Sequence, residues 1–142
     1  MKQPLIVLLF TLFSLASNPF DTLTIKTETS TKFHLTYQSA SKGNINAQFD
    51  IAMMYGTGTY VEKNEKKAFN WLHKSAFNGH VQAQYLMGVS FKQGIGVRVQ
   101  KYLAIYWFKK AIKAGHQRAI VQLAKLEREL QSQKTKYSYA FK

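Results

Sequence analysis

No cysteine occurs in the chain, which excludes disulfides, thiolate nucleophiles and cysteine-based metal sites. Acidic residues are scarce: 7 Asp plus Glu stand against 20 Lys plus Arg, a formal net charge of +13. Between Glu65 and Glu127 there is none at all, while Lys66, Lys67, Lys74, Lys92, Arg98, Lys101, Lys109, Lys110, Lys113 and Arg118 fall in that stretch. A field of one sign steers acidic partners and weakens with salt. An apolar run long enough to span a bilayer is also missing. Pro4 to Leu15, behind Met1 and Lys2, falls short of the ~20 apolar residues a span takes. With small residues at Ser14 and Ala16 it reads as a signal peptide over residues 1–16, cleaved after Ala16. No cysteine follows the run, so it is not a lipoprotein signal. A periplasmic or secreted location is expected. For an exported chain, nucleic acid is a poor partner; an acidic protein, an anionic envelope surface or an acidic glycan fits the charge better.

What the chain does contain is a repeat. Ala47, Ala68, Trp71, Lys74, Gly79 and His80 recur 36 residues later as Ala83, Ala104, Trp107, Lys110, Gly115 and His116. The period reaches back from Phe69, Ser75, Ala76 and Gly79 to Phe33, Ser39, Ala40 and Gly43, and forward from Ala83 to Ala119. A period of this size marks stacked supersecondary units, each too small to bury its own apolar face. The length suits one domain.

Within each unit the pattern is helical. Ala47, Ile51, Ala52 and Tyr55 form one apolar stripe, and Ala68, Trp71, Leu72, Ser75 and Ala76 a second, separated by Gly56-Thr57-Gly58. Gly79 ends the second helix, because glycine adopts positive φ without strain. The next unit repeats this with Met87, Gly88 and Phe91, a turn at Gly94-Ile95-Gly96, then Trp107, Phe108, Ala111 and Ile112, and a cap at Gly115. Small residues let helices approach, and Tyr55, Phe91, Trp71 and Trp107 fill the space between layers. The fold class is all-α: an α/α solenoid of antiparallel helix pairs. It comprises a half-repeat at 31–46, repeats at 47–82 and 83–118, and a capping helix at 119–131. Residues 17–30 read as an irregular extension and 132–142 as a mobile basic tail.

These residues resemble the Sel1-like repeat, a relative of the tetratricopeptide repeat, over residues 33 to about 126. The resemblance implies a right-handed superhelix acting as a scaffold or adaptor for other proteins. There are departures. Tyr60 stands where the family has a turn glycine, so this turn is expected to be reshaped. Asn64 and Gln100 replace the family's usual Asp. In related repeats the first helix of each unit lines the concave face. That geometry assigns a partner-binding groove to Phe49, Met53, Gln82, Tyr85, Val89 and Lys92, extended by Arg118, Lys125 and Arg128. The mixture of aromatic and basic side chains suits an acidic or extended protein segment. The chain is expected to be a monomer.

No catalytic constellation is present. Glu62 and Glu65 border a turn, and Glu127 and Glu129 sit on the cap, so no carboxylates pair for acid–base work. His80 and His116 follow capping glycines and are expected to serve the helix ends. His34 and His73 are expected to face solvent. No carboxylate neighbours His80 or His116 at ligand spacing, so neither metal nor cofactor is expected. The glycine turns are interhelix turns, not phosphate cradles. Cysteine-rich exported relatives have been labelled β-lactamases; without cysteines or an active-serine motif that label does not carry over. An immunity protein that neutralises a secreted antibacterial toxin is the alternative reading to an adaptor.

Overall fold

The computed structural model describes residues 19–140; the expected signal peptide at 1–16 lies outside them. The described residues form six α-helices and no strand: α1 (Pro19–Ser41), α2 (Ile45–Thr57), α3 (Glu65–Phe77), α4 (Val81–Gln93), α5 (Lys101–Lys113) and α6 (Gln117–Ala140). Each helix packs on the next in the chain. Side-chain contacts then join equivalent helices of successive layers. Phe49 of α2 meets His80 at the start of α4, and His73 of α3 meets Trp107 of α5. The result is two rows, first helices (α2, α4, α6) and second helices (α1, α3, α5).

Local chemistry sets the helix ends. The Asn44 and Asn64 side chains accept from the Ala47 and Lys67 N–H groups, both at 2.9 Å, and start α2 and α3. Asn64 therefore caps as the family's Asp would, an interaction worth ~1 kcal/mol. Gln100 makes no side-chain cap at the start of α5. Gly79, with φ +99°, carries the left-handed conformation after α3, and the His80 N–H then reaches back to Ser75 O at 3.1 Å. The turn after each first helix also repeats: Asn64 N–H donates to Tyr55 O and Gln100 N–H to Phe91 O, each at 2.8 Å.

That repetition corrects the expectation for Tyr60. The turn is not reshaped; Tyr60 keeps the glycine geometry at φ +66°, close to +69° at Gly96. The reason lies in what each turn faces. A β-carbon on Gly96 would collide with the Glu65 carbonyl oxygen and sit 2.9 Å from Phe69 Cβ. Tyr60 has room, and its hydroxyl accepts from Lys32 Nζ at 3.3 Å.

Both ends of the stack also differ from expectation. Residues 19–30, expected to be irregular, belong to α1. Pro19 is tolerated at the first helical position, where its missing N–H has no partner to lose. The cap at 119–131 and the tail from 132 form one helix through Ala140.

Ala76, Ala83, Ala104, Ala111, Met87, Phe108 and Leu126 are fully buried. Gly88 shows why small residues are needed: two Phe108 ring atoms lie 2.5 Å from where its β-carbon would be. Trp107 is buried, but Trp71 is only half-buried and packs against both the α1–α2 cluster and the larger cluster beyond it.

The two turn positions give a paired test by thermal denaturation. Gly96→Ala adds both a collision and left-handed strain and should cost about 2–4 kcal/mol. Tyr60→Gly exchanges strain relief for backbone entropy and should change stability by less than about 1 kcal/mol.

Candidate interaction site

The outward positions of the first helices fall into columns because equivalent residues are 36 apart. Met53, Val89 and Lys125 share one column; Asp50, Leu86 and Gln122 share the next. Gly56, Ala52 and Ala68 leave space where α2, α3 and α4 meet, and a slot of about 140 Å³ opens there. Its apolar wall comprises Met53, Phe69, Leu72, Leu86, Val89 and Ile95, with Glu65 also lining it. Met53 is 39% exposed. On its other side lies a more polar depression of about 350 Å³, lined by Lys32, Thr36, Asp50, Thr57, Thr59 and Tyr60. Met53 is thus a ridge between an apolar slot and a polar one.

The structure divides the residues assigned to the groove. Met53 and Val89 come together at the slot. Phe49 and Tyr85 do not present open faces: both are half-buried, stacked on imidazoles. Phe49 lies 4.4 Å from His80 at 12°, and Tyr85 lies 4.3 Å from His116 at 11°. These stacks join layers, each adding ~0.5–1.5 kcal/mol beyond its buried area. Gln82 is exposed, with Oε1 2.8 Å from His116 Nε2. Lys92 is not a free cation; it donates to Gln122 Oε1 at 3.3 Å and lies 4.0 Å from Glu129. Arg118, Lys125 and Arg128 are exposed on α6.

The positive charge is therefore distributed differently from the expected basic groove. Lys66, Lys67, Lys74, Lys101, Lys109, Lys110 and Lys113 all belong to α3 and α5, the other row. At the slot itself the ionisable lining residue is Glu65. Sequence order shows the charge but not the rotation of each helix, which decides the face.

His80 serves the helix end as expected: its Nδ1 accepts from the Ala83 N–H at 3.2 Å. Burial holds its imidazole below the ordinary value of 6.5, with Asp50 pulling weakly the other way. His116 differs in detail. A carboxamide oxygen only accepts, so His116 Nε2 carries the proton shared with Gln82, and its buried Nδ1 makes no hydrogen bond. His73 is exposed, yet it contacts Phe69, Phe77 and Trp107. Among the described residues, no three His, Asp or Glu side chains group to hold a metal ion.

Two structural residues escaped the sequence reading, although the signal was present: Gln48 and Gln84 are buried and one period apart. Each Nε2 donates to a carbonyl of the preceding second helix, Ala40 O and Ala76 O, at 3.3 Å. Gln48 Oε1 also accepts from Asn78 at 3.2 Å. The matching position in the next unit is Ala114, and Gln84 Oε1 is left unpaired.

A family model for the Sel1 repeat matches residues 45–80 and 81–116. The chain belongs to the Sel1 repeat family. The two matched units run from the first residues of α2 and α4, Ile45 and Val81, to the residue before the next first helix, two residues earlier than the expected boundaries. Among solved structures, the chain is similar to a Sel1 repeat protein from Oxalobacter formigenes, at 33% identity and TM-score 0.62, covering 63% of this chain and 68% of that one. It is also similar to a protective antigen present in uropathogenic Escherichia coli strains that displays an SLR fold. There the identity is 26% and the TM-score 0.65, over 66% of this chain and 20% of that one. No curated protein matches significantly. Sel1 repeats generally mediate protein–protein interaction, and the fold is typically a non-catalytic scaffold.

Two outcomes follow from the caps and clamps of these Sel1 units. The folded His80 titrates below its unfolded value, so its contribution is complete above the ordinary 6.5 and lost as pH falls through the folded value. Melting temperatures across about pH 5–8 should therefore decline less steeply toward acid for His80→Asn, which caps without titrating. Ala114→Asn should supply the missing donor to Gln84 and raise stability by ~1 kcal/mol, read by chemical denaturation.

Proposed function

We propose that the chain is a non-enzymatic interaction module of the bacterial envelope that binds an extended segment of another protein across its first helices. The observation that carries this reading is the apolar slot beside exposed Met53, walled by Leu86, Val89 and Ile95. An extended segment placing one apolar side chain in the slot would bury its anchor between two layers, the position from which interface energy mostly comes. Beyond Val89 the same face continues to Lys125, with Arg118 and Arg128 also exposed on α6. Those cations favour acidic residues in the part of the segment that follows the anchor and increase the encounter rate. The basic, apolar and small-residue order of the first sixteen residues supports export as the setting.

Selection of a displayed random-peptide library on the protein tests this. Enriched sequences should carry one apolar anchor with Asp or Glu to one side. Met53→Lys should weaken the winners by at least ~10-fold, about 1.4 kcal/mol. Lys125→Glu should weaken them mainly at low salt. Peptides that bind equally well to both variants would count against the site.

A further inference from the structure

The second-helix row carries a surface that the groove does not use. On α3 the stripe Lys66, Asn70, His73 and Phe77 follows the i, i+4, i+7, i+11 spacing of one helix face, and all four are exposed. One period on, α5 presents Tyr102, Tyr106, Lys109 and Lys113, also exposed. The two stripes complement each other: Lys66 occupies the register of Tyr102, and Phe77 that of Lys113. Aromatics and lysines are therefore interleaved rather than segregated. The aromatic exposure is large, 70% for Phe77, 72% for Tyr102 and 55% for Tyr106. Ring contacts make the patch continuous, because His73 stacks on Phe77 and meets Trp107 edge-on, and Tyr106 meets Trp107 the same way. Lys110 Nζ lies over both Phe77 and Trp107, 5.8 and 5.1 Å from the ring centroids.

We infer that this face docks on an anionic phospholipid surface. The cations match the charge of the headgroups, and amphipathic rings settle at the level where headgroups meet acyl chains. A long lysine side chain can keep its ammonium in the polar layer while a neighbouring ring enters the apolar one. The slot and depression described above open instead beside Met53 and include none of these stripe residues. A row of exposed aromatic and basic side chains suits a fluid surface. Seated this way, the chain would hold its first-helix groove away from the bilayer.

Co-sedimentation of the full chain with vesicles tests the assignment. Binding to phosphatidylcholine mixed with phosphatidylglycerol should exceed binding to phosphatidylcholine alone by at least ~10-fold and fall with salt. The double variant Lys66→Glu, Lys113→Glu should weaken binding to the anionic vesicles and reduce its salt dependence. Tyr102→Ser with Tyr106→Ser should also lower binding to the anionic vesicles, with helix content unchanged by circular dichroism. Met53→Lys should leave it unchanged, which separates this face from the groove. Equal binding to both vesicle types, insertion of the N-terminal apolar run included, would overturn the proposal if the variants change nothing. Immobilised poly-L-glutamate binding as tightly as the anionic vesicles, and ignoring the tyrosine variant, would overturn it in favour of an acidic polypeptide.

Discussion

The close approach of one layer to the next is the constraint on which the rest of the molecule depends. Where the second unit's turn passes the start of α3, the Glu65 carbonyl leaves no volume for a β-carbon at Gly96. That contact marks a short spacing at this junction, across which ring contacts also form. The Phe49–His80 stack and the edge-on contact His73–Trp107 cross the same junction, and their equivalents Tyr85–His116 and Tyr37–Trp71 cross the neighbouring ones. Dense packing passes such a restraint on, because a core with few voids cannot absorb a shifted helix. Within a unit, the absent side chain of Gly88 admits the Phe108 ring in the same manner.

Polar groups inside the stack obey the same economy. Gln48 and Gln84 lie between a first helix and the carbonyl end of the helix before it, where a donor is needed. Ser75 donates to Ile45 O at 3.0 Å and ties α3 to the start of α2. The His80 imidazole does two jobs at once, capping α4 and offering a flat face to Phe49, whereas His116 stacks on Tyr85 and bonds Gln82 without capping. These pairings explain why the repeat keeps polar residues inside, and why side chains that resemble catalytic groups are occupied with structure. The two faces left over are chemically different. The first-helix face holds an apolar slot beside Met53, and α3 and α5 of the second-helix row carry seven lysines.

Much of the fold was legible in order alone. Helix identity followed from stripes such as Ala47, Ile51, Ala52 and Tyr55, and the turns followed from Gly79 and Gly115. The candidate site was less legible. Phe49 and Tyr85 lie on first helices as expected, yet their rings are turned onto imidazoles, and Leu86 and Ile95 join the slot without any local signal. The α1 extension was missed because Thr22, Thr24, Thr27 and Thr29 have weak helix propensity and no partner one period away. Continuity with the packed part of α1 overrides that local preference.

The sequence by itself determined the period, the all-α class, the family and the glycine ends of the second helices. Each depends on a local stereochemical rule or on spacing along the chain. Only the tertiary structure decided three further matters: that Tyr60 keeps a glycine's backbone, that the slot is lined by Glu65 rather than by a lysine, and that Gln84 lacks the partner Gln48 has. The physical reason is common to all three. Helix rotation and turn geometry are settled by contacts between layers, and those join residues about one period apart that carry no mark of each other in the chain.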